Sequence, residues 1–285
     1  MTELRCKAAA KINLTLDVLD RRNDGYHNIE SIMQSVSLCD IITLRLSSGS
    51  GEIKVNCFGK VCGEENTAYR AIYEFMKSYG QKFDAYVDIE KHIPQAAGLG
   101  GGSADAAAVL LMLNTAYGPI NESDLLSAAV NVGADVPFCI SGGTAVAEGI
   151  GDKISPLKYI GDYYVVIVKS GEKNSTGWLY NMIDQMKYIR TSFTQDYLKK
   201  YGIWGLAGAA NCVGNIFSRL YTEYENAASK MQEFSPIAVS LSGAGPSIYG
   251  IFESKSLAES CFEYYKNTSS QAYICKTCES GIEII

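Results

Sequence analysis

Between Ile93 and Ala108 the chain joins a glycine-rich turn, with glycines at 98, 100, 101 and 102, directly to a run of strong helix formers. Such glycines tolerate positive φ and let the backbone approach a ligand closely, and Ser103 stands where it can cap the helix that follows. The unpaired N–H groups of a first helical turn, together with the helix dipole, make an anion site. The segment therefore reads as a cradle for phosphates. It is not a P-loop, which needs a lysine after the last glycine where this chain has Ser103-Ala104. Nor is it a dinucleotide fingerprint, because GxGxxG counted from Gly98 puts Ser103 in the third glycine's place. A glycine loop that serves tight packing alone is the other reading, and other segments must decide between the two.

At 285 residues the chain exceeds the length at which a single core usually stops growing, so two domains are expected. A Pro- and Gly-containing connection at 154–161 marks the boundary, giving units of residues 1–157 and 158–285. Apolar residues at 47% and charged residues at 20% make an ordinary soluble balance. A net charge of −6 offers no electrostatic footprint for a nucleic-acid backbone. The apolar stretch Ala106–Leu113 is too short to cross a bilayer, and the N-terminus lacks a secretory apolar segment. A cytoplasmic protein with neither nucleic acid nor membrane as partner is expected, and the sequence is silent on oligomeric state. Nine cysteines, an odd number in a chain long enough to fold without staples, read as reduced thiols. Cys275 and Cys278 have the spacing of a zinc or redox pair, but no His lies near them or near Cys57 and Cys62, so core or strand cysteines are expected.

Residues 11–18 alternate strictly. Ile12, Leu14, Leu16 and Val18 face a core, and Lys11, Asn13, Thr15 and Asp17 lie on the opposite face, which is ordinarily solvated. After a turn at Asp20–Gly25, residues 41–46 read as another strand. Asn66 predicts an N-cap for a helix over 67–79, closed by Gly80. A strand at 85–90 leads into the glycine loop, a helix at 104–117 leaves it, and a further helix spans 123–132. Beyond the boundary, 163–168 is a buried strand and 178–233 is mainly helical. Strands at 237–241 and 248–252 around a glycine turn, a helix at 256–266 and a strand at 271–277 complete a β-β-α-β order.

Three separated segments, Lys11-Ile-Asn-Leu14, Pro94 to Ser103 and Leu241-Ser-Gly-Ala-Gly-Pro-Ser247, resemble in order and spacing the three motifs of the galactokinase, homoserine kinase, mevalonate kinase and phosphomevalonate kinase (GHMP) superfamily. Asp24-Gly-Tyr-His27 and Gly133-Ala-Asp-Val-Pro-Phe138 narrow the resemblance to the branch that phosphorylates a cytidyl diphosphate ester of methylerythritol. The resemblance implies an α+β, two-domain GHMP kinase fold. Its N-terminal domain is ribosomal protein S5 domain 2-like and carries ATP binding and catalysis; its C-terminal domain is ferredoxin-like. It also implies transfer of the γ-phosphoryl group of ATP, with Mg²⁺, to the C2 hydroxyl of the methylerythritol moiety, a step of non-mevalonate isoprenoid synthesis.

Site residues follow from the same resemblance. Pro94, Gln95, Ala96, Ala97, Gly98, Leu99, Gly100, Gly101, Gly102 and Ser103 would hold the ATP phosphates, Ser103 would help place Mg²⁺, and Asn66 would contact the nucleotide. Asp135 would accept the hydroxyl proton while Lys11 orients the hydroxyl and offsets developing charge. A carboxylate set among Ala134 and Val-Pro-Phe would be expensive to bury without such a cation. Tyr26 and His27 would hold the cytosine, with Tyr180 as second stacking aromatic, Thr176 just before it, and Asn13, Gly243 and Gly245 also on the substrate side. Taken alone, these residues leave other readings open. Asp135 could be an N-cap before Pro137, His27 a structural histidine, and the turn at 243–247 a plain hairpin; His92 reads as surface. The chain departs from the family at Lys169–Thr176, where Pro-Gly is usual, and at Asn211–Gly214, where an acidic residue is usual. A kinase for another small alcohol and a nonenzymatic nucleotide-binding regulator are the competing functions.

Overall fold

The computed structural model describes residues 2–118, 120–169, 171, 174–186, 191–268 and 271–285. The chain opens with two long strands, β1 (Thr2–Arg21) and β2 (His27–Ser47), followed by β3 (Ile53–Cys57) and β4 (Lys60–Cys62). Helix α1 (Thr67–Tyr79) begins at Asn66, whose side chain accepts from the Ala68 N–H, and ends at Gly80 with φ 75°, as the cap residues predict. Strand β5 (Asp84–Glu90) leads through the glycine loop into α2 (Gly101–Tyr117), then α3 (Glu122–Val132), the short α4 (Val136–Ser141), β6 (Thr144–Glu148) and β7 (Lys153–Pro156). Nine residues of α2, among them Ala104 to Leu110, are buried, so this helix is apolar nearly all round and threads the middle of the first unit.

A connection then leads to β8 (Tyr164–Lys169), α5 (Thr176–Gln185), α6 (Phe193–Ala209), β9 (Gly214–Asn215), α7 (Thr222–Gln232), β10 (Ala238–Leu241), β11 (Ser247–Phe252), α8 (Lys255–Thr268), β12 (Ala272–Lys276) and β13 (Ile282–Ile284). The region read as mainly helical from 178 to 233 resolves into α5, a kinked α6 and α7, with residues 187–190 outside the described set. The nine-stranded first sheet runs β13-β1-β2-β5-β3-β4, with β6, β7 and β9 joined at its side. The second sheet is antiparallel in the order β10-β11-β8-β12, and β10-β11-α8-β12 is the expected β-β-α-β unit. The molecule is thus the two-domain α+β fold anticipated, with β13 returning from the second half to pair with β1. All nine cysteines are free, and burial pushes the Cys275 thiol up to about 12. No described helix is long and apolar enough to cross a membrane.

Strand β1 departs from expectation on one face. Lys11, Asn13, Thr15 and Asp17 are all buried rather than solvated. Thr15 Oγ1 lies 2.8 Å from Thr194 Oγ1, and the Asp17 carboxylate accepts the Phe193 and Thr194 N–H groups at 3.1 and 2.8 Å. A strand of the first unit thereby caps α6 of the second, where Ser192 provides no side-chain cap. The β1–β2 register shifts at Ala9/Ala10, Asn13/Thr15 and Val18/Arg21, the kind of irregularity at which a strand pair ordinarily bends. On this path Ile12 and Leu14 enter one apolar core, and Leu16 and Val18 enter the other.

Candidate active site

Between the units lies a cleft of about 880 Å³, and its lining contains both expected catalytic residues and the whole segment Pro94–Ser103. The loop is held from both sides. Lys11 N–H donates to Leu99 O at 2.9 Å, Ser242 Oγ to Gly98 O at 2.9 Å, and Lys169 Nζ to Gln95 O at 3.0 Å. Gly98 has φ +78°, and a Cβ there would stand 2.2 Å from Ser242 O, so only glycine lets the two glycine turns close on one another.

One detail of the loop corrects the sequence reading. Gly100, in the left-handed region at φ 70°, is the N-cap of α2, and the helix starts at Gly101 rather than after Ser103. Ser103 therefore sits inside the first turn and caps nothing, and its hydroxyl makes no hydrogen bond among the described residues. The first N–H groups of α2 have no intrahelical acceptor and face an intermediate-to-exposed stretch at 101–103. Together they form an anion site with a free hydroxyl beside it.

Asp135 does stand at the N-cap of α4, but its side chain makes no capping bond. Its Oδ2 lies 3.3 Å from Lys11 Nζ instead. Lys11, 4% exposed at the side chain, also donates to Asn13 Oδ1 at 2.7 Å, which leaves ammonium hydrogen-bonding capacity unused by the described residues. The Asp135 side chain keeps 31% of its exposure, so the carboxylate is both paired and reachable. Asn13 Oδ1 also accepts the Gly243 N–H at 2.8 Å, and Asn13 Nδ2 donates to Ser31 Oγ at 2.8 Å. Asn13 thus joins β1 to the second glycine turn and fixes the ammonium; one of its amide hydrogens has no partner among the described residues.

At the other end of the cleft, His27 opens β2 with its ring stacked on Tyr180, centroids 4.8 Å apart at 18°, while Tyr180 meets Phe217 edge-on. His27 Nε2 lies 2.7 Å from Asp184 Oδ1, a residue the sequence reading missed. Its position four residues after Tyr180 on α5 is the signal that could have found it, since such pairs share a helix face. Tyr26 is 62% exposed and lines the cleft. Thr176, first residue of α5, lines the cleft, as do Asn66 and Gly243. Gly245 does not: a Cβ there would stand 2.9 Å from the Tyr221 ring. His92 is exposed as expected. Where an acidic residue is usual, Gly214 pairs with Thr15, and a Cβ there would be 2.6 Å from the Phe193 ring. Of the other departure, residues 170, 172 and 173 lie outside the described set.

A second ionic cluster, also missed, borders the loop. Lys91 Nζ contacts Asp40 Oδ2 and lies 2.8 Å from Asp105 Oδ2, while Asp40 Oδ1 accepts the His92 and Ile93 N–H groups at 2.6 and 2.8 Å. Asp105 Oδ1 is buried without a partner among the described residues. Burial raises the Asp105 pKa, and Lys91 only partly offsets it. Burial opposes charge on Lys91 as well, yet Asp105 and Asp40 together hold its pKa up.

Among the described residues no group of three or more His, Cys, Asp and Glu is placed to bind a metal by itself. The free Ser103 hydroxyl nevertheless fits Mg²⁺, which keeps most of its ligands as water and phosphate oxygens and asks few of the protein.

A fold of two α+β units, a glycine loop opening a helix, and a Lys–Asp pair beside that helix define a small-molecule kinase. The descriptions of the GHMP kinases N terminal domain and the GHMP kinases C terminal match residues 66–143 and 198–270, and the chain belongs to the GHMP kinase family. Its relatives are more particular. The 4-diphosphocytidyl-2-C-methyl-D-erythritol kinase of Clostridium tetani is 36% identical over 279 residues, 96% of this chain and 100% of that one. A solved 4-(cytidine 5'-diphospho)-2C-methyl-D-erythritol kinase matches with a TM-score of 0.78 at 29% identity, covering 96% of this chain and 98% of its own. A homoserine kinase from Cytophaga hutchinsonii matches with a TM-score of 0.77 at 19% identity, covering 100% and 98%, a likeness of fold alone.

Proposed function

We propose that the chain transfers the γ-phosphoryl group of ATP to the C2 hydroxyl of 4-diphosphocytidyl-2-C-methyl-D-erythritol, giving the 2-phosphate and ADP in the non-mevalonate isoprenoid pathway. The observation that carries this reading is the Lys11–Asp135 pair, 3.3 Å apart beside the α2 N-terminus, in a cleft that also holds Tyr26 and His27. Asp135 accepts the proton of the attacking hydroxyl, and the spare N–H of Lys11 orients that oxygen and offsets charge as it develops. The N–H groups of 101–103 hold the phosphates in line, which is the main work in phosphoryl transfer. Ser103 would help hold Mg²⁺ with the phosphates, and the bound ion would supply charge neutralisation. Tyr26, His27, Tyr180, Thr176 and Gly243 form the cytidyl side of the cleft, and Asn66 borders the nucleotide.

A cytoplasmic setting belongs to the proposal and is supported by the nine free thiols; the net charge of −6 supports a reading without nucleic acid. The test is ADP release measured with the cytidyl ester, mevalonate and homoserine in parallel. Turnover is expected with the cytidyl ester, with cytidine diphosphate competing against it and not against ATP. Turnover of mevalonate or homoserine alone overturns the substrate, and no ADP release with any alcohol overturns the enzyme.

A further inference from the structure

We propose that Asp184 is a positioning residue which, through His27, makes the base site select a pyrimidine bearing an exocyclic amine over one bearing a carbonyl at the same place. The proposal rests on the cytidyl substrate reading above. The His27 side chain is 6% exposed, so the ring's orientation is set by its contacts: Tyr180 against its face at 4.8 Å, and Asp184 Oδ1 at 2.7 Å from Nε2. A carboxylate can only accept a hydrogen bond, so Nε2 carries the hydrogen. In the neutral imidazole Nδ1 is then a lone-pair acceptor.

Nδ1 forms no hydrogen bond with any described residue, and His27 lines the cleft. Asp184 itself is absent from the described lining, so it acts through the ring rather than on the ligand. Its second oxygen lies 3.6 Å from Arg21 Nη1, which steadies the carboxylate from the far side. The 4-amino group of cytosine donates to the Nδ1 lone pair. The 4-oxo group of uracil sets a second lone pair against it, leaving both atoms unpaired, the kind of mismatch that polar sites reject most strongly. Without Asp184 the ring is free to take the other tautomer, which donates from Nδ1 and suits uracil instead.

The experiment compares Asp184→Ala and Asp184→Asn with wild type, using cytidine diphosphate and uridine diphosphate as competitors of the cytidyl ester. Wild type is expected to prefer the cytidine compound, and Asp184→Ala to lose about tenfold of that preference, the worth of one hydrogen bond. KM for the cytidyl ester should rise more than kcat falls. Asp184→Asn keeps a side-chain oxygen that accepts from Nε2 and should restore most of the loss, which a merely structural role would not require. Nitrogen-15 spectra read the tautomer directly, because the chain has two histidines and a His92→Gln variant assigns the remaining signal. The Nε2–H form is expected in wild type and a mixture in Asp184→Ala. An unchanged preference in Asp184→Ala, or a His27 protonated on both nitrogens at neutral pH, overturns the proposal. If neither diphosphate competes with wild-type turnover, the substrate reading has failed and the base selection falls with it, while the tautomer spectra still show separately whether Asp184 fixes the His27 ring.

Discussion

Lys11 and Lys91 border the same cleft with side chains 4% and 6% exposed, yet the carboxylates they meet differ in access. Asp135 keeps 31% of its side-chain exposure, whereas Asp40 and Asp105 keep 0% and 6%. A buried ammonium facing one reachable carboxylate makes a pair that an incoming hydroxyl can enter. The same ammonium closed between two sealed carboxylates, with backbone N–H groups completing one of them, can only hold β5 and the start of the loop against β2. Burial of a lysine is therefore no guide to its role; the exposure of its partner is.

The largest effect should come from breaking the sealed cluster. Asp40→Ala leaves Lys91 facing a single carboxylate and orphans two backbone donors, and should lower unfolding free energy by about 3–5 kcal/mol in urea denaturation. A loss near zero would make the cluster incidental and erase the contrast. Asp135→Asn should lower kcat by ~10²-fold or more while the denaturation midpoint and ATP affinity stay close to wild type. Comparable loss of stability would move Asp135 to the architectural side.

Between the two lies Asp17, a buried carboxylate that caps a helix of the second unit. Asp17→Ala should reduce stability by about 0.5–2 kcal/mol, the ordinary worth of a cap, and calorimetry would sharpen the comparison by ranking it below Asp40. The last effect is a slope rather than a loss. Asp105 holds its proton to higher pH in the native chain than in the unfolded one, because burial outweighs Lys91. Its contribution is present in full below the ordinary aspartate value of ~3.9 and is lost as pH rises through the raised native value. Asp105→Asn cannot ionise, so its stability relative to wild type should improve as pH climbs through that window. A flat difference would count against the shift.

Much of the scaffold could be read directly from residue order. The caps at Asn66 and Gly80, the strand into the loop, and the β-β-α-β tail are local patterns, and the structure places them where those patterns point. What residue order did not reveal depends on tertiary covering. A period of two says that Lys11, Asn13, Thr15 and Asp17 share a face, but not that α6 and the second glycine turn close over it. The start of α2 was misplaced because Gly100, rather than a hydroxyl side chain, occupies its N-cap. Asp135 satisfied a cap pattern and a catalytic pattern equally; only the side chain's direction separates them. The Lys91 cluster joins residues 51 and 14 positions apart, and no local spacing announces such a meeting.

Strand β1 has one more consequence. Ile12 and Leu14 are anchored in the first core, and two residues later Leu16 begins the second, with no linker between. A fragment ending at residue 157 would carry a strand whose far half has lost its apolar neighbours, so separate expression of the halves should yield poorly soluble pieces. Any rocking of the two walls would have to be accommodated by a hydrogen-bonded ribbon whose nearest register shifts lie within two residues of Lys11.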